Sequence, residues 1–153
     1  MTIMRSRHAR LAALTLGLAA AASPMLSNPA SAAANCTFKL VRVKAVDIQE
    51  ERRGDEIYLH IDGERVPFDG YVTYTRNGES HPAADFGTAA QTQEAFNGSM
   101  TVKVFEQDPT FDEKIGVTHT VSCTGSATDQ VLEFVEPNSA HYQVFYDVVL
   151  NSL

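Results

Sequence analysis

The chain has 153 residues, of which 44% are apolar and 20% charged, and its formal net charge is −7. Three of the 12 basic residues and none of the 19 acids fall in the first 34, so residues 35–153 carry 9 − 19, or −10. A surface that acidic excludes DNA and RNA as partners, because phosphate contacts need a basic face, and it leaves an anionic membrane approachable only through a bridging cation.

The first element is a targeting segment. Arg5, Arg7, His8 and Arg10 make a basic start, Leu11 to Ala22 is an apolar run of twelve, and Pro24 ends it. Twelve residues are too few for a bilayer span of about 20. Ala30, Ser31, Ala32, Ala33 and Ala34 then offer cleavage after Ala32 or Ala34. Residues 1–34 are therefore expected to be a secretory signal peptide, leaving residues 35–153 as a single, secreted domain. A lipoprotein is excluded because Asn35, not a small residue, precedes Cys36. Export to an oxidising compartment makes a Cys36–Cys123 disulfide the expected state of the two cysteines.

The strands follow in order. Thr37 to Val46 is rich in Val and Leu, and its apolar phase slips between Leu40 and Val41, which predicts a bulge or burial of both faces. Ile57, Leu59 and Ile61 alternate with polar neighbours, and Asp62-Gly63 reads as a two-residue hairpin turn into Glu64-Arg65-Val66. Tyr71 to Thr75 is a further strand, closed by Asn77-Gly78. The stretch from His81 to Ala90 reads as loop, and Gln91 to Phe96 as either a strand or one helical turn. Asn97-Gly98 turns the chain into Met100 to Phe105, and Asn97-Gly98-Ser99 is also formally a glycosylation sequon. Ile115 to Cys123, Gln130 to Val135 and His141 to Leu150 complete the pattern. About eight strands with Gly, Asn, Asp and Pro turns predict an all-β, antiparallel Greek-key β-sandwich.

Two acidic loops stand out. Asp47, Glu50, Glu51, Asp55 and Glu56 surround the first turn, and Glu106, Asp108, Asp112 and Glu113 lie within eight residues of one another. Loops at one end of a sandwich converge although they are distant in sequence. Carboxylates brought together repel unless they are solvated or share a cation, and hard oxygen ligands suit Ca²⁺. The same acids also read as solubilising loop residues that point into water.

These segments resemble the calcium- and phospholipid-binding C2 domain, as a divergent, secreted, bacterial-type member. Asp47 matches its first aspartate, Asp55-Glu56-Ile57-Tyr58 its Asp-Pro-Tyr site with one residue added, and Glu106-Gln107-Asp108 its Asp-x-Asp. Glu113-Lys114-Ile115-Gly116 matches the acid before Ile-Gly, and Gln93-Glu94-Ala95-Phe96 its Asn-Glu-x-Phe strand. The departures are Glu106 in place of aspartate, a later loop one residue shorter, and the extra disulfide. The resemblance implies a C2-like fold and Ca²⁺ as cofactor, with Asp47, Asp55, Glu106, Asp108 and Glu113 as ligands and Glu56 and Asp112 as alternates. It also implies a surface or protein partner, and Arg52-Arg53 and Phe111 match the basic and apolar loop tips of its lipid-binding members.

Signals for catalysis are absent. Gly125-Ser126-Ala127 is not a nucleophile elbow, His60, His81, His119 and His141 are far apart in sequence, and a chain without tryptophan makes a poor sugar platform. No catalytic residue is assigned, and a monomeric, non-enzymatic domain is expected. The alternative to calcium is a metal-independent protein-binding module or inhibitor that uses strand edges or aromatics, with Phe105 and Phe145 as the outward-phase candidates.

Overall fold

The computed structural model describes residues 35–49, 53–137 and 139–151, so the expected signal segment lies outside the described residues. Among the described residues, ten strands and two single-turn helices run in the order β1 (Asn35–Asp47), β2 (Asp55–Ile61), β3 (Glu64–Val66), β4 (Val72–Tyr74), β5 (Ser80–Pro82), α1 (Ala83–Phe86), α2 (Ala89–Thr92), β6 (Gln93–Asn97), β7 (Ser99–Glu106), β8 (Glu113–Ser122), β9 (Ala127–Glu136) and β10 (Ala140–Leu150). They form two antiparallel five-stranded sheets. One is ordered β5-β1-β10-β9 with β6 also on β1, and the other β3-β2-β7-β8 with β4 also on β2. The expected β-sandwich is present.

Alternation sets the two faces. In β2 and β7 the side chains of Ile57, Leu59, Ile61, Met100, Val102 and Val104 turn inward, and Phe38, Val43, Tyr142, Val144 and Phe134 meet them from the other sheet. A side-chain period of 2 makes this register self-consistent, since a slip of one residue would expose the whole set. The slip read at Leu40/Val41 is real: the β1–β10 register shifts between Leu40 and Arg42. It lets Phe38 and Leu40 on one side of the irregularity and Val43 and Ala45 on the other all face the core. Asp62-Gly63 forms the expected hairpin, with φ of 49° and 94° at its two residues and Ile61 opposite Glu64. Both angles are positive, as a type I′ turn requires.

The region expected to be loop is more regular than its sequence suggests. Ser80–Pro82 pairs with β1, and α1 and α2 follow in quick succession. Four-residue helices are too short to show a 3.6 period, so Thr88 and Gln91, which form a capping box at α2, are the only local signal of either helix. The segment open between helix and strand is both: α2 ends at Thr92 and β6 begins at Gln93.

Two features close the sandwich. The Cys36–Cys123 disulfide is formed, joining β1 to the end of β8 in the opposite sheet. A loop of 87 residues closed in this way restricts the unfolded chain by about 4–5 kcal/mol on the chain-entropy model. At the other side, β8 bulges between its partners for Val102 and Val104 and leans onto the edge of β9. Gly116 has φ of 63°, and a Cβ there would lie 2.8 Å from Val135 N and 2.9 Å from Val135 O. His119 Nε2 lies 2.8 Å from the carbonyl oxygen of Glu133 on the same edge. Gly116→Ala combines a left-handed backbone with a main-chain clash, so it is expected to lower unfolding free energy by about 2 kcal/mol or more in urea titration.

Candidate functional site

The acids expected as ligands all fall at one pole, because β1 ends there, β2 and β8 begin there and β7 ends there. Their side chains differ sharply in environment. Asp55 is completely buried, and its Oδ2 accepts from the Tyr142 hydroxyl at 2.6 Å and from the Gln49 main-chain N–H at 2.8 Å. Glu106 is 4% exposed and faces the core beside Tyr142. Asp47 is exposed, and its Oδ1 accepts from Asn77 Nδ2 at 2.9 Å, while Asn77 Oδ1 accepts from Ile48 N. Glu113 stands opposite Glu106 in the β7–β8 register. Glu56, Glu106 and Asp108 line one pocket of about 110 Å³ together with Arg53, Gly54, Gln107 and Pro109.

Asp112 does not join that group. Its Oδ2 accepts from the Tyr58 hydroxyl at 2.7 Å and lies 3.6 Å from Arg65 Nη1. Arg65 is a hub. Its guanidinium lies 3.5 Å above the Tyr58 ring, and Nη2 donates to Gly70 O at 2.9 Å and to Gln107 Oε1 at 2.6 Å. It thereby joins the loop after β3 to the loop after β7. Planar stacking and forked donation together are within reach of arginine but not of lysine.

Oxygen-rich donors are the right chemistry for calcium, but their arrangement does not make a preformed cage. Asp47, Asp55 and Asp112 each accept hydrogen bonds from protein groups. Among the described residues, no three His, Cys, Asp or Glu side chains converge in a way that could hold a metal ion. Glu50, Glu51 and Arg52 of the first loop lie outside the described residues.

The aromatic candidates change places. Phe105 is on the outer face as expected, but it stacks on Tyr58 at 5.1 Å and meets His60 at 4.8 Å. Arg42 covers Phe145 at 3.6 Å. The exposed aromatics are instead Phe68 at 66%, Tyr71 at 40% and Phe111 at 73%. Phe68 and Tyr71 flank Gly70, and Phe111 precedes Asp112, so all three sit on the two loops that Arg65 joins. Phe111 is visible in the sequence as a loop tip. Phe68 has a signal too, since Pro67, Asp69 and Gly70 take it out of strand alternation, whereas Tyr71, read as the first residue of a strand, lies just before β4.

The hydrogen-bond partners of His81, His119 and His141 are carboxylates and a carbonyl. His81 lies 2.8 Å from Asp85 Oδ2 and 3.3 Å from Glu79 Oε1, and His141 lies 2.5 Å from Glu133 Oε2. The main-chain N–H of Thr75 is the leading cause that holds the Glu79 carboxyl below its ordinary range. Burial works to raise Glu133, but hydrogen bonds from His141 and Gln143 outweigh it and leave that carboxyl low. Burial, reinforced by Lys103 and Arg65, pushes His60 down. Among the described residues no Ser, Thr or Cys side chain hydrogen-bonds a histidine.

No family model matches the chain, and no curated protein matches it. Solved structures do. A C2 domain is 10% identical with a TM-score of 0.44, over 78% of this chain and 99% of that one. A C2 domain of plant extended synaptotagmin 1 is 12% identical with a TM-score of 0.41, over 79% and 96%. A C2-domain-containing protein from a putative elicitor-responsive gene is 13% identical with a TM-score of 0.41, over 78% and 89%. These are C2 domains, the family that the sequence resembles. The sandwich itself is defined by the two sheets of this chain rather than by those likenesses.

Four tyrosines at this pole titrate late, and a hydrogen bond to Glu56 is the leading cause for Tyr71. Burial, then the hydrogen bond to Asp112, pushes Tyr58 up to about 12. Burial also raises Tyr74 and Tyr142, the latter further through Asp55. Each folded-state value lies above its unfolded value near 10, so their stabilisation is complete below pH 10 and is lost as pH rises through the folded values. Stability measured by chemical denaturation is expected to fall steadily above about pH 10, alongside delayed tyrosinate absorbance in the folded protein. A flat profile there contradicts the assignment.

Proposed function

We propose that residues 35–153 are an exported, non-enzymatic interaction module that binds a basic protein partner through the loops braced by Arg65. The observation that carries this reading is the placement of Phe68, Tyr71 and Phe111. All three exposed aromatics stand on those two loops, amid Glu64, Asp69, Asp108, Asp112 and Glu113. Arg65, the cation between them, is already engaged by Tyr58, Gly70, Gln107 and Asp112. An aromatic rim within an acidic field suits arginine side chains, which stack on rings and pair with carboxylates. Export is supported by the targeting pattern of residues 1–34 and by the disulfide.

The test uses a labelled peptide that alternates arginine with apolar residues, followed by fluorescence anisotropy. Binding is expected to weaken with salt, and Phe68→Ala with Phe111→Ala is expected to cost about tenfold or more in Kd, since aromatic anchors carry most interface energy. Unchanged affinity in the double variant contradicts the assignment of the loops.

A calcium-dependent module is the second reading, favoured by the shared pocket of Glu56, Glu106 and Asp108. Asp47, Asp55, Glu106, Asp108 and Glu113 would be its ligands, and several would have to exchange protein donors for the ion. Thermal unfolding in Ca²⁺, Mg²⁺ and chelator separates the two readings. The metal-independent reading expects one midpoint in all three. A rise specific to calcium, equivalent to about 2–3 kcal/mol at 100 times Kd, favours the second.

A further inference from the structure

Two Asn-Gly pairs lie among the described residues, and their environments are opposite. Asn77 is tied at every atom that matters: Oδ1 accepts from Ile48 N at 2.9 Å, Nδ2 donates to Asp47 Oδ1 at 2.9 Å, and Gly78 N donates to Ala45 O at 2.7 Å. Asn97 is exposed, and no hydrogen bond among the described residues engages its carboxamide or Gly98 N. Gly98 sits at φ of 75° with no atom within 4 Å of where a Cβ would be. It is the single residue between β6 in one sheet and β7 in the other.

We propose that Asn97 is a self-modification site, converted spontaneously to aspartate or isoaspartate. The main-chain nitrogen of Gly98 loses its proton to solvent and attacks Asn97 Cγ. A bond from that nitrogen to Cγ forms, the Cγ–Nδ2 bond breaks, and ammonia leaves with one proton, closing a succinimide ring. Water then opens the ring at either carbonyl. No oxidant, cofactor or enzyme is needed. Glycine at the second position speeds the reaction, because a side chain there would crowd the attacking nitrogen.

The position gives the reaction structural reach. Asn97 faces Asn35 and Phe96 faces Cys36 in the β1–β6 register, and Gly98 O accepts from Cys123 N at 2.7 Å. Conversion adds a negative charge beside the disulfide, and the isoaspartate product adds a methylene to the main chain where it crosses between sheets. It also removes the acceptor amide of the Asn97-Gly98-Ser99 sequon.

The test is peptide mapping by mass spectrometry of the oxidised protein incubated in mildly alkaline buffer. Conversion at Asn97 is expected to exceed that at Asn77 by about tenfold or more, because the reaction at Asn77 must first break three hydrogen bonds. In denaturant the two sites are expected to react alike, and Asn97→Gln is expected to suppress conversion at that site. Equal rates in the folded protein, or faster conversion at Asn77, overturns the proposal. So does a folded-state contrast that survives in denaturant.

Discussion

The hydrogen bond from Tyr142 to Asp55 is the constraint on which the acidic pole depends. It crosses from β10 in one sheet to β2 in the other, and it places a carboxylate inside the sandwich. A buried carboxylate without hydrogen bonds would be among the costliest groups in a core. Here the same oxygen also accepts from Gln49 N, so the loop leaving β1 is pinned to the start of β2. Tyr74 makes the reverse crossing, donating to Val43 O at 3.0 Å and meeting Tyr142 edge to face at 5.3 Å. Two tyrosines, one from each sheet, thus tie the layers at one end while the disulfide ties β1 to the end of β8.

That arrangement changes what the acids do. Carboxylates collected at the end of a sandwich need protein donors, water or a cation. In this chain Tyr142, Gln49, Asn77, Tyr58 and Arg65 supply donors to Asp55, Asp47 and Asp112. The chemistry that remains at the surface is then aromatic as much as acidic. Phe68, Tyr71 and Phe111 are displayed by loops that Arg65 joins, so a partly buried charge organises the apolar side chains at the rim.

The fold is largely legible because its signals are local. Alternation in β2, β7 and β10, the Asp62-Gly63 turn and even the irregularity at Leu40/Val41 are written in neighbouring residues. The disulfide is expected from two cysteines in a chain whose first 34 residues read as an export signal. Segments β5, α1 and α2 are not legible, because three or four residues carry no period and β5 exists only by pairing with β1. The partners of the carboxylates are hidden for a different reason. Asp55 and Tyr142 are 87 residues apart, Tyr58 and Asp112 are 54 apart, and Asp47 and Asn77 are 30 apart. Side-chain spacing along one loop says how many acids gather, but donors from remote strands decide whether those acids face a cation or the protein. The outward phase of Phe105 and Phe145 follows from alternation, whereas their covering by Tyr58 and Arg42 is a cross-strand matter.

A double-mutant cycle on Asp55→Ala and Tyr142→Phe, read by urea unfolding of the oxidised protein, addresses the central interaction directly. A coupling of about 1–3 kcal/mol is expected, because each single variant strands a buried polar partner that the double variant removes. Additivity to within about 0.5 kcal/mol would mean that the two groups do not depend on each other, and the internal lock on the acidic pole would be refuted.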